Sequence, residues 1–164
     1  MAQTVTKTMN VQSPAFPAGQ PIPRKCTEDG DNLSPPLAWS GVPEQAKELA
    51  LVVDDPDAPT PQPWVHWILA KIPPEMSALG EGFSCGRKYH SPACGIDGIN
   101  SWGSPGFRGP APPRGHGTHH YHVQLFALRE PLTVSQGVDK KTLLAAMQGK
   151  ILACAEVVGT YERK

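Results

Sequence analysis

The stretch Leu49-Ala50-Leu51-Val52-Val53-Asp54-Asp55-Pro56-Asp57-Ala58-Pro59 decides how this 164-residue chain is read. Its first five residues are apolar without a break, and the run then stops at Asp54-Asp55-Pro56. An uninterrupted run this short, closed by a turn signal, predicts a buried β-strand. The strand end puts Asp55 on the rim, and Pro56 restricts the backbone before it to extended geometry. The Asp55 carboxylate is therefore held in place, whereas Asp57, before Ala58-Pro59, reads as a turn residue.

Working outward, three more segments read as strands. Trp64 to Lys71 is rich in aromatic and β-branched residues. His119 to Leu128 alternates, with Tyr121, Val123, Leu125 and Ala127 on one face. Ala155 to Tyr161 is an apolar run near the C-terminus, and a weaker strand is expected over Val5 to Val11. One helix is predicted, capped by Asp139, with Leu143, Leu144, Met147 and Ile151 as its apolar stripe and Gly149 near its end. A short helical turn is expected at Pro73 to Leu79. Between these elements lie two long loops: Asp54 to Pro63, with four prolines in ten residues, and Gly98 to Gly117, with six glycines and four prolines in twenty. Loops of that length in a compact domain are usually functional. Short strands, long loops and one clear helix predict a mainly β sandwich or barrel closed by antiparallel strands, as a single domain spanning residues 1–164.

The chain carries 15 Lys plus Arg against 15 Asp plus Glu, for a formal net charge of zero. No global field draws it to nucleic acid or to an anionic membrane. No apolar stretch reaches a membrane span, and the first ten residues do not form a signal peptide, so the expected location is the cytoplasm. The cysteines Cys26, Cys85, Cys94 and Cys154 have no C-x-x-C spacing and read as free thiols, although Cys85 and Cys94 are close enough in sequence for a loop bridge.

Three groups stand out chemically. Asp55 is fixed at a strand end. On an extended strand His66 shares a face with Trp64, Ile68 and Ala70; a histidine so placed is more often a core residue than a ligand contact, but the adjoining proline loop favours a role. The segment Gly109-Pro110-Ala111-Pro112-Pro113-Arg114-Gly115-His116-Gly117-Thr118-His119-His120-Tyr121 combines glycines that expose backbone amides with His119 and Tyr121 on one strand face. An imidazole braced by a carboxylate stays charged at neutral pH. The reading is that Asp55 orients and charges His66, His119 contacts an anion, Gly109 supplies a backbone amide, and Tyr121 donates its hydroxyl or walls the pocket. Arg108 and Arg114 sit in the same loop and could steer anions, although such arginines are more often solvated.

Asp54-Asp55-Pro56-Asp57-Ala58-Pro59, His66-Trp67, Gly109-Pro110-Ala111-Pro112-Pro113 and His119-His120-Tyr121 together resemble the phosphatidylethanolamine-binding protein family, and within it the prokaryotic Raf kinase inhibitor-like branch. Flanking matches are Asp29-Gly30-Asp31-Asn32-Leu33-Ser34-Pro35-Pro36-Leu37-Ala38-Trp39 and Gly159-Thr160-Tyr161, so the resemblance spans roughly residues 10 to 162. It implies a two-sheet antiparallel Greek-key sandwich with one or two peripheral helices. It also implies a pocket for phosphate-like anions lined by Asp55, His66, Gly109, Pro110, His119 and Tyr121, with no cofactor. Members bind phospholipid head groups or phosphorylated small molecules, some eukaryotic members inhibit kinases or proteases, and prokaryotic members are often dimers. The chain departs from the family at His120, where an arginine is usual, and at Ala111, where relatives often carry cysteine. It also lacks the long C-terminal helical extension of mammalian members, so kinase inhibition is not carried over.

The resulting expectation is a non-enzymatic binding protein for a small phosphate-bearing anion, with a protein partner such as a kinase or protease and a homodimer as its candidate assemblies. The main rival is a metal-dependent enzyme with Asp55, His66 and His119 as ligands, since two histidines and a carboxylate are the ligand types of non-haem iron. A hydrolase lacks support because none of Ser34, Ser101 and Ser104 has an evident base beside it in sequence. In a pure protein-interaction module, Trp102 and Phe107 would be contact residues.

Overall fold

The computed structural model describes residues 9–84 and 94–164. The strands are β1 (Asn10–Gln12), β2 (Leu37–Ser40), β3 (Glu48–Asp55), β4 (Trp64–Ile72), β5 (Ala78–Leu79), β6 (Ile96–Asp97), β7 (His119–Leu128) and β8 (Ile151–Tyr161). A single α-helix, α1 (Lys140–Met147), and a 3-10 turn at Arg24–Cys26 complete the regular structure of the described residues. The strands form two antiparallel sheets, one in the order β1-β2-β5 and one in the order β6-β4-β3-β7-β8. After β4 the chain passes through β5 and β6 and then returns to pair β7 with the other edge of β3, a crossing of the Greek-key kind.

The unbroken apolar run of β3 has a direct cause. Leu49, Leu51 and Val53 enter the core between the sheets beside Leu37, Trp39, Val123 and Leu125. Ala50 and Val52 face the opposite way, onto Ile68, Leu132, Leu143 and Met147. An antiparallel strand normally alternates because one of its faces meets water. Here α1 and the segment leading to it cover that second face, so both sets are apolar.

Asp139 caps α1 by accepting the Thr142 N–H at 2.7 Å. The helix is shorter than its predicted stripe. Leu143 and Met147 are buried, Leu144 is 44% exposed, and Ile151 belongs to β8. Gly149, at φ 78°, turns the chain out of the helix, and β8 begins four residues earlier than its apolar run suggested. Pro73 to Leu79 is not helical. Met76 N–H donates to the Pro73 carbonyl in a turn, and Ala78–Leu79 becomes a strand on β2. Of the strand expected at Val5 to Val11, residues 1–8 lie outside the described residues and Asn10–Gln12 is observed. Leu37–Ser40 went unread as a strand because its length gives too little periodicity.

Gly159, paired with Tyr121 across β7 and β8, backs against the segment that carries Phe16 and Ile22. A Cβ there would stand 2.6 Å from Ile22 and 2.7 Å from Phe16, both in the core. Gly159→Ala is therefore expected to cost about 1–3 kcal/mol by overpacking, read as a lower urea midpoint at unchanged slope.

Candidate functional site

The topology brings the end of β3, the start of β4 and the start of β7 to one end of the larger sheet, and the 98–117 segment folds across them. Asp55, His66, His119 and Tyr121 meet there on the wall of a cavity of about 390 Å³, with Glu28, Trp64, Trp102 and prolines 59, 112 and 113.

His66 reaches this cavity through an irregularity that strand alternation does not foresee. Val53 pairs with Trp67, but Asp54 pairs with Val65, so His66 is the extra residue of a β-bulge. Bulges bend a strand and re-aim a side chain, and they concentrate near functional sites. The expected face of Trp64, His66, Ile68 and Ala70 is therefore split. Trp64 and His66 line the cavity, while Ile68 and Ala70 pack on the helix side. The His66 ring is pinned by Arg108. Nδ1–H donates to the Arg108 carbonyl at 2.7 Å, and Arg108 N–H returns a bond to the His66 carbonyl at 2.9 Å. The edges of Trp102 and Tyr121 close on the ring, each with centroids 5.1 Å away.

The carboxylate does not brace His66. Asp55 Oδ2 lies 2.6 Å from His119 Nδ1, with the two side chains 5% and 2% exposed. Asp55 Oδ1 accepts Asp57 N–H at 2.8 Å, closing the turn into the proline loop. Burial pushes the pKa of His66 down, and this outweighs the Arg108 carbonyl and the Asp55 charge. His66 is thus a neutral ring, contrary to the cation expected from sequence. With Nδ1–H committed, the nitrogen it can offer a ligand is Nε2, as an acceptor.

His119 carries a second partner. Its Nε2 is 2.6 Å from Nδ1 of His116. Asp55 takes the Nδ1–H of His119, which leaves Nε2 facing His116 across one shared proton. Asp57 extends the network. Its Oδ2 accepts both the amide (2.8 Å) and ring Nδ1–H (2.7 Å) of His120. Burial acts to raise the Asp57 carboxyl, but the His120 hydrogen bonds and charge prevail and hold it below the usual range. Asp57 is a turn residue that also anchors the start of β7. Burial drives the Tyr121 phenol far up, so it remains a neutral hydroxyl.

Gly109 and Pro110 have roles other than those expected. The Gly109 N–H donates to Asn32 Oδ1 at 2.7 Å and is not free for a ligand. A Cβ on Gly109 would stand 2.4 Å from the Cys26 carbonyl oxygen, so glycine is needed for the loop to cross that turn. The Pro110 carbonyl accepts Glu28 N–H, and its ring faces a small apolar gap beside Phe16 and Ile22. The loop presents Ala111, Pro112 and Pro113 to the cavity instead. Arg108 is neutralised: its Nε lies 2.5 Å from Glu28, and its guanidinium stacks 4.6 Å from the Trp102 ring centre. Arg114 points away, donating to the Lys164 carbonyl. Phe107 is core, whereas Trp102 is cavity wall. Sequence reading missed Glu28, Trp64, Trp102 and His116 as site residues. His116 was visible inside the quoted loop; Glu28 pairs across 80 residues and left no signal.

The three groups proposed as metal ligands share the cavity wall but are not placed as a ligand set. His119 has both ring nitrogens engaged within the chain, and Nδ1 of His66 is held by backbone. Among the described residues, no group of three or more His, Cys, Asp or Glu is placed to hold a metal ion. Ser101, considered as a nucleophile, accepts Val65 N–H at 2.7 Å and ties the loop to β4.

A two-sheet antiparallel sandwich with one polar cavity at the end of its central strands defines a class of binding domain. The family model for phosphatidylethanolamine-binding protein matches residues 12–162. A UPF0098 protein of Methanothermobacter thermautotrophicus is 43% identical over 155 residues, covering 94% of this chain and 99% of that one. Among solved structures, a phosphatidylethanolamine-binding protein homologue from Chlamydia trachomatis superposes with TM-score 0.85 at 39% identity, covering 96% of this chain and 99% of that chain. Escherichia coli YbcL, described as a member of the mammalian family, gives TM-score 0.89 at 30% identity, covering 96% and 100%. The chain belongs to the phosphatidylethanolamine-binding protein family.

A histidine whose folded pKa is depressed binds fewer protons than its unfolded form, so its stabilisation is whole above the unfolded value near 6.5 and declines as pH falls below it. Thermal or urea unfolding should show stability dropping between about pH 7 and pH 5, by up to about 1.4 kcal/mol per pH unit for this one proton. The drop should be shallower in His66→Gln; an identical slope would remove His66 as its source.

Proposed function

We propose that this protein is a non-catalytic receptor for a small ligand bearing a phosphate or a similar oxyanion, held in the Asp55–His119 cavity. The observation that carries this reading is the buried Asp55–His119 pair on the cavity wall, at 2.6 Å. A carboxylate that holds one ring nitrogen orients the other and stabilises the imidazolium that an oxyanion needs as donor. His66 and Tyr121 complete a hydrogen-bonding set, the first as acceptor and the second as neutral hydroxyl.

The cavity contains two carboxylates and no lysine or arginine among its described lining residues. Recognition therefore rests on donors and acceptors, not on fixed positive charge. That favours a ligand with its own exchangeable proton, such as a phosphate monoester monoanion, whose P–OH matches Nε2 of His66. The family's description supports a phosphoethanolamine-type head group. A cytoplasmic location accords with the free thiols of Cys26, Cys94 and Cys154; Cys85 lies outside the described residues.

The test is calorimetric titration of phosphoethanolamine and inorganic phosphate into wild type and His119→Gln. Saturable wild-type binding that weakens by at least about tenfold in the variant is expected, the loss of one charge-assisted hydrogen bond. A flat wild-type titration, or equal binding by both proteins, would end this reading.

A further inference from the structure

Resting on the reading of the cavity as an oxyanion site, we propose that His116 is a built-in latch that competes with the ligand for Nε2 of His119. The two imidazoles lie 2.6 Å apart through His116 Nδ1 and His119 Nε2, with ring centres 4.9 Å apart and planes tilted by 56°. His119 is 1% exposed, whereas His116 is on the surface. An outer loop residue thus covers the one nitrogen of the buried dyad that Asp55 leaves available.

The chemistry makes the two occupants exclusive. Nε2 has a single hydrogen-bonding direction, and His116 Nδ1 occupies it at 2.6 Å. An oxyanion needs the same direction, with an Nε2–H that donates. The ligand therefore takes its place only when His116 leaves, and where Nε2 is left as a lone pair its proton comes from solvent or from the ligand's acidic hydroxyl.

The loop is shaped to release. His116 stands between Gly115 (φ 72°) and Gly117 (φ 86°), and a Cβ on either glycine would meet nothing within 4 Å. Neither position is packed, and both occupy backbone conformations that glycine adopts without strain. Behind this pair the loop is fixed, with Gly115 N–H on the Arg163 carbonyl and His116 N–H on the Pro113 carbonyl. Pro112 and Pro113 of the same loop wall the cavity. A swing of the imidazole about Gly117 thus uncovers Nε2 without dismantling the pocket. A surface imidazole that leaves its partner regains hydrogen bonds to water, so the latch tunes affinity modestly and does not abolish it.

The experiment is calorimetric titration of inorganic phosphate into wild type, His116→Ala and His119→Gln. His116→Ala should bind phosphate about three- to tenfold more tightly than wild type, the worth of one neutral hydrogen bond. Unchanged or weaker binding in His116→Ala, with binding lost in His119→Gln, overturns the latch and leaves the anion site standing. Phosphate binding absent from both wild type and His116→Ala, or undiminished in His119→Gln, overturns the anion site and the latch with it. Should His119→Gln fail to fold, the ¹⁵N shift of His119 Nε2 in His116→Ala replaces it: movement on adding phosphate supports the proposal, and indifference overturns it.

Discussion

Every residue of β3, from Glu48 to Asp55, is buried, and the site follows from that constraint. Three of the eight are carboxylates, and a buried carboxylate is tolerated only when paired and hydrogen-bonded. Glu48 receives Lys71 at 2.6 Å and the Leu132 N–H at 2.8 Å. Asp54, turned to the helix side, receives Lys140 at 2.6 Å and Gln124 at 3.3 Å. Asp55, turned to the other side, is paired with no lysine or arginine among the described residues and takes His119. The first two pairs close on themselves with lysine partners. The third pairs with an imidazole whose other nitrogen meets only a surface loop residue, His116, so the Asp55 side of the strand end becomes a site while the Asp54 side remains structure.

Much of this was legible in the sequence, and the remainder fails for identifiable reasons. The run from Leu49 to Val53 revealed a buried central strand, and the motif residues Asp55, His66, His119 and Tyr121 do share one cavity. What the sequence concealed was connectivity. A bulge has no signature in a single chain, and one extra residue at His66 exchanges the faces of everything after it. Asp55 therefore looked like the partner of the nearer histidine, eleven positions on, when register brings it to the one sixty-four positions on. Gly109 was rightly singled out as a position of close backbone approach, but what it approaches is the Cys26–Asn32 turn and not a ligand.

The Asp29-Gly30-Asp31-Asn32 match acquires a physical meaning in this light. Asn32, at φ 59°, holds Gly109. Asp29 receives the Tyr161 hydroxyl at 2.7 Å and the Arg163 guanidinium at 2.8 Å. Gly30 is backed against the Arg24 carbonyl, where a Cβ would stand 2.4 Å away. The motif staples the cavity loop and the end of β8 to one turn. Its residues resemble a functional signature because they support the groups that line the cavity, without lining it themselves.

A second groove, about 690 Å³, lies across the same wall, bounded by Pro63, Val65, Ile99, Ser101, Lys140 and Leu144. It is the larger of the two, yet size does not locate chemistry. Its buried polar residue, Asn100, has its groups spent: Nδ2 donates to the Gly106 carbonyl, and Oδ1 accepts from Trp102 and Ser104. Lys140 at its edge is paired with Asp54. Its remaining polar lining, such as Gln62 and Lys141, is on the surface, so the groove offers no buried polar group with bonding capacity left to direct a ligand. The smaller cavity retains an imidazole acceptor, a neutral phenol and a carboxylate-held histidine whose Nε2 meets an exposed loop residue. The polar groups that the fold buries without fully spending mark the functional end of this molecule, and they lie at the end of its most buried strand.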